Sequence, residues 1–233
     1  MKSVNKKMIE HKFSNYLLVK DQFLNSPDSV VALSDKQVYT KSEIYPGLRT
    51  ENLFDIADQA TRDFAEYFAQ RIKHNVFPGL TTFMLDLRFH INESFSDDVA
   101  NIGWIHSDPS DLAGLVYLTP HENNFNTGTS IFHKKNPDDF ATEDFDSRLH
   151  FNKSNQITDT YKSEIRQNWD NFSESVRVAN VYNRLVAYDA KLYHRPNNFK
   201  TSIGQPRKSL LFFIKGFSYT DTFDKNACKW KDQ

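Results

Sequence analysis

A single cysteine, Cys228, among 233 residues leaves no partner for an internal disulfide and too few thiolates for a cysteine-based zinc site. Seven glycines are too few for a glycine-rich phosphate loop, and neither GxGxxG nor a Walker A pattern occurs. The G-x-S-x-G elbow of serine hydrolases is missing as well. No apolar run approaches the length that crosses a bilayer. The N-terminal MKSVNKKMIEHKF is basic but has no apolar stretch behind it, so it does not read as a secretory signal. Lys and Arg number 29 against 30 Asp and Glu, a net charge of -1. No overall basic excess is available to hold a nucleic acid by counterion release. These absences point to a cytoplasmic protein without a membrane or nucleic-acid partner; they leave the oligomeric state open.

Ring area is plentiful. Aromatic residues are 14% of the chain, with 20 Phe and 10 Tyr, which suits a packed, β-rich core. Tyr16–Val19 and Ser29–Leu33 read as short strands. Thr50 to His74 reads as a helix capped by Thr50, with Leu53, Ala57, Ala60, Phe64, Phe68 and Ile72 on one stripe. Pro78-Gly79 breaks the chain. Thr81–Ile91 alternates apolar Phe83, Leu85, Leu87, Phe89 and Ile91 with Met84, Asp86, Arg88 and His90, the period of a strand. Shorter β-like runs follow at Ile102–Asp108, Leu112–Leu118, Thr129–Lys134, Arg177–Val181, Leu185–Tyr188 and Ser209–Phe217. A polar insert, 136–175, separates the third from the fourth. Its second half carries a helical stripe of Tyr161, Ile165, Trp169 and Phe172. A helix followed by many short strands predicts a mainly β fold with supporting helices, a jelly roll or barrel. The division expected is one domain over 1–233, with N-terminal strands and a helix in 1–80 and the core in 81–217.

Three features bear on chemistry. In NIGWIHSDPSD, His106 and Asp108 are two residues apart and share a strand face. An imidazole and a carboxylate so placed can meet on one metal ion, although the pair alone arises easily by chance. His194 closes RLVAYDAKLYHRP, 88 residues later. Arg207 and Ser209 open the apolar run SLLFFIKGF, 13 residues beyond His194, and a guanidinium fork beside a hydroxyl suits a carboxylate. Two histidines and one carboxylate form the facial set that holds ferrous iron and leaves positions open.

With these residues in this order, the sequence resembles the Fe(II)/2-oxoglutarate-dependent oxygenases, in their prolyl 4-hydroxylase-like branch. The resemblance runs from about Thr81 to Phe217. It rests on HSD at 106–108, LAGLVYLTP at 112–120, FNTGTSIFHKK at 125–135, NRLVAYDAKLYHRP at 183–196 and IGQPRKSLLFFI at 203–214. YPGLR at 45–49 resembles an uncharacterised subgroup of such proteins. The resemblance implies a double-stranded β-helix, with Fe(II) on His106, Asp108 and His194. It also implies 2-oxoglutarate on Arg207 and Ser209, with Tyr117 as a further contact, and O2 as oxidant. The reaction implied is hydroxylation of an unactivated C–H bond, with succinate and CO2 as co-products. Asp108 favours hydroxylation, since halogenating relatives leave that position without a carboxylate. Thr127-Gly128-Thr129 departs from the family's glycine pair and puts the local turn in doubt.

The substrate stays open between a prolyl residue in a peptide and a small molecule. The rival reading is a non-catalytic jelly roll that binds a metal or another ligand. His90 is expected to face solvent or a second layer, and His133 to lie on a basic surface strand. His11, His74, His121 and His150 read as exposed. Arg49 and Arg184 could meet an anionic substrate, with a surface ion pair the better reading of each; Trp104 reads as core, Asp97-Asp98 and Asp138-Asp139 as solvated loops, and Cys228 as a free thiol without a role.

Overall fold

The computed structural model describes residues 16–42, 44–78, 80–137 and 146–219. His11, Asp138-Asp139 and Cys228 lie outside them. The first strand, β1 (Leu17–Lys20), stands one residue from its expected place. The second expected strand is instead a helix, α1 (Pro27–Ser34). Val30 and Val31 suggest a strand, but Pro27 lacks an N–H where a helix start needs none, and Asp28 in the first turn complements the dipole. Two short strands follow, β2 (Thr40–Lys41) and β3 (Leu48–Arg49).

The long helix α2 (Gln59–Asn75) begins nine residues later than expected. Its cap is Asp58, whose carboxylate accepts from the Thr61 amide at 2.9 Å and the Thr61 hydroxyl at 2.7 Å. Thr50 instead lies along the next strand: its hydroxyl accepts from the Phe89 amide at 3.1 Å. The inward stripe of α2 is Thr61, Ala65, Phe68 and Ile72. Of the residues proposed for that stripe, Leu53 is buried but precedes the helix.

The remaining elements are β4 (Leu80–Asn92), β5 (Leu112–Tyr117), β6 (Asn123–Lys134), α3 (Asp146–Ser154), α4 (Asp159–Asp170), β7 (Phe172–Val181), β8 (Leu185–Asp189), β9 (Tyr193–Pro196) and β10 (Arg207–Tyr219). Residues 102–108 form no strand; they meet β9 through a bridge between His106 and His194 and a bond of 3.2 Å from the Gly103 amide to the Pro196 carbonyl. Phe172 belongs to β7, not to the helical stripe before it. One sheet has the order β1-β8-β5-β10-β4-β3-β2 and the other β7-β6-β9, with antiparallel pairing throughout. Facing each other, they make the double-stranded β-helix.

The large sheet is buried on both faces. On one, Leu87 and Phe89 of β4, Leu112 and Val116 of β5, and Leu210, Phe212 and Ile214 of β10 pack under α2. On the other, Ala113, Leu115, Tyr117, Val186, Tyr188 and Leu211 meet Ile131 and Val178 of the small sheet. Strand residues of opposite parity serve opposite layers. The alternation that sends Leu87 and Phe89 to the helix therefore sends Arg88, His90 and Asn92 into the space between the sheets.

Phe68 joins helix to sheet. It is fully buried, with its ring centroid 5.6 Å from that of Phe212 and 5.9 Å from that of Phe23. Phe68→Ala is expected to cost about 3–5 kcal/mol, as large-to-small core changes do, and to lower the urea midpoint. Met84→Ala, at a residue 64% exposed, should stay within about 0.5 kcal/mol of the parent.

Candidate metal centre

His106, Asp108 and His194 come together, with one ligand atom of each within 4.8 Å of the others. Backbone hydrogen bonds fix this meeting. His106 and His194 exchange N–H···O bonds of 3.1 and 2.8 Å, and the Asp108 amide donates to the Ala190 carbonyl at 2.8 Å. From the other side α4 grips the same loop. The Asn168 side chain accepts from the Ile105 amide at 2.8 Å and donates to its carbonyl at 3.0 Å. Trp169 donates to the Gly103 carbonyl at 3.1 Å. The convergence that a regular strand was expected to supply comes from a loop clamped between β9 and the insert.

The ring orientations suit a cation. Nδ1 of His106 bonds the Trp104 carbonyl and Nδ1 of His194 bonds the Leu192 carbonyl, both at 2.9 Å. A carbonyl only accepts, so Nδ1 carries the hydrogen, and in the neutral ring Nε2 keeps its lone pair. These Nε2 atoms stand 3.9 and 3.3 Å from the Asp108 carboxylate. Three donors on one face of an octahedron with bonds of roughly 2 Å are about 3 Å apart, so small side-chain movements close the set. Tyr188 packs on the His194 ring, with centroids 4.6 Å apart.

Electrostatics favour the same state. Burial, reinforced by neighbouring His194, holds His106 down at about 3, neutral at physiological pH. Burial opposes ionisation of Asp108, but the contact with His194 and the Arg49 guanidinium outweigh it, and the carboxyl stays below the usual carboxylate range. Imidazole nitrogens with an ionised carboxylate are the donors a divalent iron ion takes.

Arg207 and Ser209 sit at the start of β10, deep between the sheets. Arg207 is 3% exposed, donates from Nε to the Thr127 carbonyl at 3.0 Å, and lies 5.4 Å from the Tyr117 ring centroid. Burial lowers its pKa, opposed by Tyr117. Ser209 stands in register with Tyr117 on one side and His90 on the other. Tyr117 and Ser209 are fully shielded. The Tyr117 hydroxyl donates to Thr129 at 2.8 Å, whereas the Ser209 hydroxyl is buried with no partner. A buried, unsatisfied hydroxyl beside a buried guanidinium is a costly pair to keep, and a carboxylate would satisfy both. The Thr127-Gly128-Thr129 segment serves this corner. Its first carbonyl receives Arg207, its last hydroxyl receives Tyr117, and a Cβ on Gly128 would stand 1.8 Å from the Val178 carbonyl oxygen.

A cavity of about 360 Å³ joins the two parts; His106, Asp108, His194 and Arg207 all line it. Two residues that sequence reasoning set aside line it as well. His90 is 6% exposed and bonds the Pro46 carbonyl at 2.8 Å. Burial and the Arg49 charge hold its pKa well below the ordinary histidine value. Arg49, expected in a surface ion pair, is in none among the described residues and faces this cavity. For His90 the second of the two expected surroundings holds, a second layer and not solvent; Arg49, on the two-residue β3, has no alternation to mark it. The other expectations fare better. Arg184 pairs with Asp21 at 2.8 Å. His74, His121, His133 and His150 are exposed. Trp104 is buried beside Tyr161 and also reaches the cavity.

The model of DUF6445, a family of unknown function, matches residues 3–201. No curated protein matches the chain. Among solved structures, HygX from Streptomyces hygroscopicus, with nickel and 2-oxoglutarate bound, is similar at a TM-score of 0.55 and 11% identity, over 94% of this chain and 89% of that one. The non-heme alpha ketoglutarate dependent epimerase SnoN from nogalamycin biosynthesis gives 0.52 and 12%, over 92% and 86%. A prolyl hydroxylase from Trichoplax adhaerens, in complex with a hypoxia inducible factor peptide fragment, gives 0.51 and 11%, over 90% and 88%. At these identities the likeness establishes the fold, that of the Fe/2-oxoglutarate oxygenases. No helix among the described residues is long and apolar enough to cross a membrane.

Two outcomes are expected of the metal-free protein. The unfolded chain takes up a proton at His106 near pH 6.5, while the folded chain resists until about 3. Stability from this group is complete above pH 6.5 and falls with pH below it, by up to about 1.4 kcal/mol per pH unit. Urea melts of His106→Gln should show a shallower acid slope. Asn168→Leu, which releases the loop from α4, should weaken Mn(II) binding about tenfold, the low end for residues behind a ligand shell. Unchanged affinity in a titration would remove Asn168 from the account.

Proposed function

This chain belongs to the DUF6445 family, and we propose that it is an Fe(II)- and 2-oxoglutarate-dependent oxygenase that hydroxylates an unactivated C–H bond. The observation that carries the proposal is the meeting of His106, Asp108 and His194 on a cavity whose inner wall is Arg207. Iron(II) held by these residues, with 2-oxoglutarate and O2, supplies the oxidising power, and succinate and CO2 leave as co-products. In this reading Nε2 of each histidine and the Asp108 carboxylate are the protein's ligands. Arg207 takes the distal carboxylate of the co-substrate in a charge-assisted pair. The Ser209 hydroxyl donates to the same carboxylate, and Tyr117 orients Arg207 across its ring. The hydroxyl of Tyr117 is held protonated by burial, so it stays a donor and adds no charge beside a dianion.

The apolar walls have their own part. Leu211 and Phe213 of β10 and Leu115 of β5 line the cavity. They keep bulk water from the ligands, which strengthens each polar contact inside. The primary substrate is a residue of a peptide, prolyl in type, or a small molecule.

Asp108→Ala is expected to abolish succinate formation from 2-oxoglutarate. Arg207→Ala should weaken 2-oxoglutarate binding about ten- to hundredfold, the range of a lost hydrogen bond to a charged group, while metal affinity persists. Binding that is indifferent to Arg207→Ala would show the co-substrate assignment to be wrong.

A further inference from the structure

The run Tyr45-Pro46-Gly47-Leu48-Arg49 is a built part of the cavity. Gly47 has φ +80°, and a Cβ there would stand 2.4 Å from the Ile91 carbonyl oxygen, so the turn lies tight against β4. The Pro46 carbonyl accepts from His90 at 2.8 Å and from Asn92 at 3.2 Å. Leu48 and Arg49 then pair with Ile91 and His90. The turn thereby delivers Tyr45 and Arg49 to the cavity wall, beside the metal ligands.

Arg49 is held by an aromatic ring and not by a carboxylate of the described residues. Its guanidinium carbon lies 3.6 Å from the centroid of the Tyr45 ring, and Phe213 stands 6.0 Å away on the lining. Its Nε is buried with no hydrogen-bond partner. Among the described residues no carboxylate comes within ion-pair distance. Asp108 and Asp86 act on it only through their longer-range field; Asp108 belongs with the metal ligands, and Asp86 is taken by Arg88 at 2.7 Å. Burial pulls Arg49 down to about 10, still charged at neutral pH. A largely buried cation that no described carboxylate pairs is costly to keep unless something else uses it. The co-substrate does not: one of its carboxylates belongs with the metal and the other with Arg207.

We propose that Arg49, held over the Tyr45 ring, anchors a carboxylate of the primary substrate, which is a small free acid of the amino- or hydroxy-acid class. A planar fork fixed on a ring is preorganised for bidentate contact with a carboxylate. The cavity, about 360 Å³, lies near the lower end of the roughly 300–1,000 Å³ of small-molecule sites. It suits a co-substrate with a metabolite rather than a stretch of peptide. This inference rests on the oxygenase reading.

The test uses the full chain loaded with Mn(II), which binds without turnover. Calorimetric titration with 2-oxoglutarate comes first. The loaded protein is then titrated with free L-amino acids and L-2-hydroxy acids, each beside its primary amide, and with a prolyl peptide blocked at both ends. At least one acid should bind about ten- to hundredfold tighter than its amide, the range of a charge-assisted contact. Arg49→Gln should erase that preference and leave 2-oxoglutarate affinity within about twofold, which also reports a folded site. Arg49→Lys should keep part of the preference. The inference is overturned, with the oxygenase reading intact, if 2-oxoglutarate binds while acids and amides bind alike, no acid binds, or the blocked peptide binds best. It is overturned too if Arg49→Gln costs 2-oxoglutarate affinity, because the guanidinium then serves the co-substrate. Failure of the parent to bind 2-oxoglutarate overturns the oxygenase reading itself.

Discussion

A reciprocal pair of backbone hydrogen bonds between His106 and His194 is the constraint on which the centre depends. These two residues are far apart in sequence and belong to a loop and a short strand. The bridge makes them direct neighbours, and the side chains of bridged antiparallel residues lie on one face. Asp108, tied to Ala190 two residues further along the loop, returns to that face. The amide of Asn168 holds the opposite edge of the loop. The polar insert is thus a structural partner of the centre as well as a wall of the cavity. Each imidazole is then turned by a local carbonyl so that Nε2 looks inward. Metal chemistry at this point requires no rearrangement of the backbone.

The double burial of the large sheet explains how so many polar groups come to lie inside. One face meets α2 and stays apolar; the other meets the small sheet. On that face β4 and β10 place His90, Asn92, Arg207 and Ser209 in adjacent register, and the first three line the cavity. Buried cations and unsatisfied hydroxyls cost stability, and the aromatic packing between helix and sheet offsets that cost. Arg207 and Arg49 occupy different parts of the lining, one on β10 and one on β3. That separation lets one cavity receive two anions with distinct geometry.

Much of this was legible in the residues. The alternation in β4 is regular, β5, β8 and β10 read as short apolar runs, and the limits of all four differ from expectation by only a few positions. The order His106, Asp108, His194, Arg207 marked the centre because each residue type has a distinct role at a fixed place in the fold. Other parts were illegible for physical reasons. The start of α1 competes with a β-branched pair, and only the cap chemistry around Pro27 decides it. Thr50 and Asp58 are both good caps, and burial beneath β4 selects the second. β9 is four residues long and carries no period of its own. His90 stays open between solvent and a second layer because alternation separates faces without saying what covers each of them, and Arg49 sits on a two-residue strand with no period to read.

The most direct measurement is anomalous diffraction from crystals soaked anaerobically with Fe(II). The account predicts one iron peak at roughly 2 Å from Nε2 of His106, Nε2 of His194 and a carboxylate oxygen of Asp108, facing the cavity that holds Arg207. Iron bound at other side chains, or no ordered iron at these three, would contradict it.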